Sequence, residues 1–89
     1  MDERLREALL TVIREVPDKY VDAPYAKTYA QAVFHNPHTG KEMEGKELRV
    51  QLLYVLNNLS QWGGQVARDV KGVLRIYSRK EVKRNAKPE

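Results

Sequence analysis

Leu5, Ala8, Leu9, Val12, Ile13 and Val16 recur at offsets 0, 3, 4, 7, 8 and 11, which is one face of an amphipathic helix. Asp2 is placed to cap it, Glu3 suits the positive end of its dipole, and Pro17 forbids continuation, so the first helix ends near Glu15. After a linker over residues 18–22, Asp22 or Ala23 is placed to cap a second helix with Pro24 in its first turn. Tyr25, Ala26, Tyr29, Ala30, Val33 and Phe34 form its apolar stripe, small enough in places for close helix approach, and Pro37 stops it. The following loop, His35, Asn36, Pro37, His38, Thr39 and Gly40, is rich in turn formers. Thr39 and Glu42 have the spacing of a capping box for the next helix, whose start Gly45 blurs.

The third helix carries Leu48, Leu52, Val55, Leu56, Leu59 and Trp62 on one face. Val50, Leu53 and Tyr54 spread apolar character over the rest of its circumference, which predicts a central helix covered by the first two. Gly63 and Gly64 suit a left-handed C-cap that reverses the chain. A fourth helix follows from about Gln65, with a core stripe of Val66, Val70, Val73, Leu74 and Tyr77. The pattern breaks after Ser78, so residues 1–78 read as one helical domain and residues 79–89 as a fraying, charged, disordered tail. The fold class expected is all-α: a compact four-helix bundle or irregular helical array with the third and fourth helices as an antiparallel hairpin.

Composition narrows the chemistry more than it names a function. With 89 residues the chain builds one modest core, and its longest apolar run, residues 52–56, is far short of the roughly 20 a membrane span needs. The opening Met1, Asp2, Glu3 and Arg4 show no secretory pattern, so the expected compartment is the cytosol. Zero cysteines exclude disulfides, thiol catalysis and thiolate metal sites, and two histidines leave the usual zinc and iron ligand sets hard to assemble. His35 and His38 lie near Glu42 and Glu44, but Pro37 between them prevents a clean helical presentation, and a solvated loop is the better reading. Gly40 and Lys41 lack the Ser or Thr and the first glycine of a phosphate-binding loop. Ser60 and Ser78 have no histidine near them in sequence, so the chain reads as non-enzymatic and without cofactor.

Charge is unevenly placed. Residues 1–18 hold three basic against five acidic side chains, a net −2, while residues 65–89 hold eight against three, a net +5. At 100° per residue Arg68, Lys71, Arg75 and Arg79 fall within about 80° of one another, directly opposite the valine stripe of the fourth helix. The tail adds Lys80, Lys83 and Arg84. The plain reading is a solvated face favoured by the helix dipole; the sharper one is a footprint for phosphates or an acidic protein, since exposed helices normally mix signs at i and i+4. Gly72 lies beside that strip, where a close approach would justify a helical glycine. A repressor-type helix-turn-helix fails on register: Ala67 stands five residues before Gly72 rather than four, and Lys71 would fall on a core position.

Tyr25, Tyr29 and Trp62 read chiefly as core and rim packing, with base stacking the lesser alternative. One of Asn57 and Asn58 is expected to face inward and to need hydrogen-bond partners. The stretch from Glu47 to Gly64, followed by Ala67, Arg68, Asp69, Val70 and Lys71, resembles small helical proteins of unknown role carried by phages and related mobile elements. The resemblance covers roughly the C-terminal half, implies no activity, ligand or site, and adds modest weight to a binding protein acting on a host or phage component. The leading expectation is therefore a binding protein whose Arg68, Lys71, Arg75 and Arg79, aided by Lys80, Lys83 and Arg84, contact a nucleic-acid backbone or an acidic protein. The alternative is a protein–protein module or homodimer that uses spare apolar surface of the third helix, with Tyr54 and Trp62 as anchors.

Overall fold

A computed structural model describes the backbone of residues 1–85 and the side chains of residues 1–79. Four helices follow one another, α1 (Glu3–Glu15), α2 (Ala23–Phe34), α3 (Gly45–Asn57) and α4 (Gln65–Asn85), and no strand occurs among the described residues. α1 packs against α2 and α4, and α3 against α2 and α4, so the helices close a ring in which the diagonal pairs do not meet. α3 is thus not the central helix its apolar circumference predicts. It has two neighbours, and Val50, Leu53 and Tyr54 remain 37%, 48% and 49% exposed. Among the described residues no helix is long and apolar enough to cross a membrane.

α1 forms as its pattern dictates. The Asp2 side chain accepts a hydrogen bond from the Arg4 backbone N–H at 2.8 Å, and Val16 before Pro17 leaves the helix with ψ 123°. Leu5, Ala8, Leu9 and Val12 are buried. α2 contributes Ala23, Ala26, Ala30 and Val33 to the core, three alanines that let its backbone approach its neighbours, while Tyr25 turns outward at 58% exposure.

The α2–α3 connection is built around a buried asparagine that sequence reading passes over as a turn former. Asn36, 2% exposed, donates from Nδ2 to Glu47 Oε2 at 2.8 Å and accepts the His38 backbone N–H on Oδ1 at 2.9 Å. Its backbone N–H donates to the Lys41 carbonyl, and its own carbonyl accepts from Gly40, which sits at φ 75°. The expected capping box is not formed: Thr39 Oγ1 accepts from the Lys41 N–H, Glu42 pairs with the N-terminal ammonium and Arg6, and Glu44 stands at the N-cap of α3 without a side-chain bond. Met43 plugs the core at the end of this loop.

α3 ends at Asn57, earlier than its stripe suggests. Asn58 Nδ2 donates to the Tyr54 carbonyl at 2.8 Å, competing with the backbone ladder, and the chain tightens into i→i+3 turns that swing Leu59 and Trp62 into the core. Neither Asn57 nor Asn58 is buried. Gly64 at φ 101° serves the start of α4, its carbonyl accepting from the Arg68 N–H, rather than the end of α3. α4 continues to Asn85, beyond the expected end at Ser78, because residues 79–85 contain no proline or glycine and are rich in straight-chain helix formers. Residues 86–89 of the expected tail lie outside the described residues.

Two substitutions test this account. Asn36→Ala removes the latch of the α2–α3 loop and is expected to lower stability by about 1–3 kcal/mol in urea denaturation; an unchanged midpoint would mean the loop holds without it. Gly72 has open space where a Cβ would stand, so Gly72→Ala is expected to raise stability by about 1 kcal/mol. A fall would show that the glycine is required by the fold itself.

Candidate functional site

The azimuth of α4 sets the geometry of the basic residues. Its buried positions are Ala67, Val70, Leu74 and Ser78, while Val66 is 49% exposed and Val73 and Tyr77 are partly buried. Relative to the stripe of Val66, Val70, Val73, Leu74 and Tyr77, the inward face is turned by about 60°. Two small inward residues let the α4 backbone seat closely, and the buried Ser78 hydroxyl is satisfied by donating to the Arg75 carbonyl at 2.8 Å. The cationic strip consequently does not stand opposite the core. It flanks it, about 100° round, facing the edge of α3.

There all of the strip but Arg68 lines one wall of a groove of about 420 Å³. Lys71, Arg75, Ser78 and Arg79 line the α4 side; Leu53, Leu56, Asn57 and Ser60 line the side of α3 and its following turn. No acid is among these residues, and no described carboxylate pairs with Arg68, Arg75 or Arg79. On the opposite flank of α4 a second groove, about 310 Å³, is lined by Glu3, Arg4, Glu7, Ala8, Thr11, Asp69, Val70 and Val73. α4 therefore separates a groove carrying three cations from one carrying three acids and a single arginine.

The predicted basic residues do not all behave alike. Arg68, Arg75 and Arg79 are exposed, whereas Lys71 is half-buried and donates from Nζ to the Trp62 carbonyl at 2.7 Å. Burial, and secondarily the Arg75 charge beside it, push the Lys71 ammonium below its ordinary value of 10.5. Lys71 is accordingly a structural anchor that also lends charge to the groove floor. Lys80, Lys83 and Arg84 belong to the last turns of α4, and their side chains lie outside those described. Trp62 is 6% exposed and part of the core, which removes it as an interface anchor; Tyr54 stays exposed with its ring 5.6 Å from that of Tyr29.

Leu53, Asn57 and Ser60 were not legible as site residues, because only the packed pair of helices shows which edge of α3 faces the cations. The one signal pointing to them is the surplus of apolar residues around α3. His35 and His38 are exposed, and no group of three or more His, Asp or Glu that could hold a metal occurs among the described residues.

The depressed affinity of Lys71 for its proton is open to measurement. In a ¹³C NMR titration its side chain is expected to titrate below 10.5, and Arg75→Gln to move that midpoint upward. Folding does not favour the ammonium of Lys71, so its contribution to stability improves as pH rises through its midpoint toward 10.5. A midpoint at or above 10.5 would contradict the buried placement.

No family model matches the chain, and no curated protein or solved structure proves similar to it.

Proposed function

We propose that this is a non-enzymatic binding protein that grips an anionic macromolecule, nucleic acid, by the cationic wall of α4. The observation that carries the reading is a groove lined by Lys71, Arg75 and Arg79 and by no acid, with the exposed Arg68 on the same strip of α4 and none of the three arginines paired with a described carboxylate. Acids that border α4, Glu3, Glu7 and Asp69, line the groove on its other flank and leave the cationic side without a counter-charge in its lining. Guanidinium groups suit phosphate oxygens through paired, charge-assisted hydrogen bonds. Such contacts position a backbone and carry no sequence readout of their own. Lys80, Lys83 and Arg84 extend the same charge along the chain.

The alternative, a protein–protein module or homodimer, rests on the exposed Val50, Leu53 and Tyr54 of α3. Salt separates the two readings. Neutralising three phosphates weakens binding about twenty- to fortyfold between 50 and 200 mM salt, whereas an apolar interface changes little.

Changing Arg68, Arg75 and Arg79 together to Glu is expected to abolish binding to DNA and RNA in fluorescence anisotropy while leaving the circular dichroism spectrum intact, because all three are exposed. Retained affinity would refute the assignment, and a concentration-dependent mass in light scattering would favour the α3 interface.

A further inference from the structure

Resting on that reading, we infer that the α3–α4 groove takes a single-stranded nucleic acid, with an unpaired base laid against Leu53 and Leu56 while its phosphates meet Arg75 and Arg79. The argument starts from the mismatch between the two walls. Cations alone would serve a duplex, whose outer surface is phosphate and sugar. A duplex keeps its bases stacked inside, so it offers no base face to a leucine standing next to the arginines. Leu53 is 48% exposed although its helix has a core to fill, and the partly buried Leu56 continues the same wall. Among nucleic acids, an unstacked base brings an apolar face and a phosphate to adjacent walls of one groove.

The remaining lining fits the same occupant. Asn57 carries both donors and an acceptor, Ser60 a hydroxyl, and both are exposed at the groove with no side-chain bond to another described residue. They stand where the edge of a base resting on Leu53 and Leu56 would need polar partners. Ser78, by contrast, has already committed its hydroxyl to the Arg75 carbonyl, and Lys71 its ammonium to the Trp62 carbonyl. The arginines are free to meet phosphates, since neither pairs with a described carboxylate. Successive groove cations are four residues apart, so they advance about 6 Å along the helix and track a backbone running parallel to α4.

The test uses the whole chain in fluorescence anisotropy with a labelled mixed-sequence DNA 12-mer, the same 12-mer annealed to its complement, and an RNA 12-mer. Three proteins are compared: wild type, Leu53→Ala and Leu53→Trp. Leu53 is half exposed, so both variants are expected to fold, which a thermal melt verifies. The single strands should bind at least tenfold more tightly than the duplex. Leu53→Ala should weaken single-strand binding threefold or more, and Leu53→Trp should tighten it fivefold or more by offering a stacking ring, with its fluorescence quenched on binding. Duplex affinity should move with neither variant. Equal affinity for duplex and single strand, or indifference of single-strand binding to both variants, would overturn the inference and leave the backbone-binding reading standing. Failure of wild type to bind any of the three nucleic acids would overturn both.

Discussion

The Lys71 ammonium reaches back across the turn that follows α3 to the Trp62 carbonyl, 2.7 Å away, and the surface of this protein depends on that bond. It ties α4 to the segment that leaves α3 and agrees with the inward placement of Ala67, Val70, Leu74 and Ser78. Small residues at the two ends of that inward row let the helix sit close. With the azimuth of α4 so fixed, Arg75 and Arg79 lie at the lip of a groove instead of on a convex outer face. A half-buried ammonium is an expensive way to hold a turn unless it is satisfied. Here the carbonyl satisfies it, while burial and the neighbouring Arg75 charge lower its affinity for a proton.

The ring of four helices has no element at its centre, so each helix must present a narrow inward stripe and the corners must be closed by other means. Alanines at three buried positions of α2 shorten the distance across the ring. Asn36 closes the corner between α2 and α3 with two side-chain and two backbone hydrogen bonds, replacing helix capping by a knotted turn. Gln51 donates to the Tyr29 carbonyl along the same seam. Arg6 stacks over Phe34 at 5.9 Å and pairs with Glu42, fastening α1 to the other end of the loop. No buried side-chain nitrogen or oxygen among the described residues lacks a partner. Folding thus leaves little polar strain in the core.

That bears on the proposed site. Arg68, Arg75 and Arg79 are exposed and do not fill the core, whereas Lys71 is half-buried and bonded to the Trp62 carbonyl. Charge reversal at the three arginines therefore tests the proposed binding with the fold left in place. Gly72 obeys the same division: open space surrounds it, so the fold gains nothing from its missing side chain. A helix interior tolerates such a glycine at about 1 kcal/mol relative to alanine. Its place beside the arginines puts that concession on the side where a ligand would approach.

Much of the architecture was legible from periodicity and punctuation. Pro17 and Pro37 end α1 and the α2 region because they forbid helical continuation wherever they fall, and the stripe of α1 needs no partner to be recognised. The existence of four helices and an α3–α4 hairpin followed from the same local rules. Local rules do not decide azimuth. Val66 and Ala67 are both acceptable inward residues, and the choice of Ala67, made by the space available against α3, moved the basic strip from the far side of α4 to the rim of a groove. Nor do they separate a turn-forming asparagine from a buried one: Asn36 is inside because Glu47, eleven residues on, returns to meet it. Leu59 and Trp62 kept their predicted burial but reached it through a turn rather than a helix, since burial answers to the core and secondary structure to the competing bond of Asn58. Helix content and the sign of the charge at each end were decided by the sequence alone, through interactions within one or two turns. Which residues share a groove was decided by packing between elements far apart in the chain, and that is a property of the folded molecule.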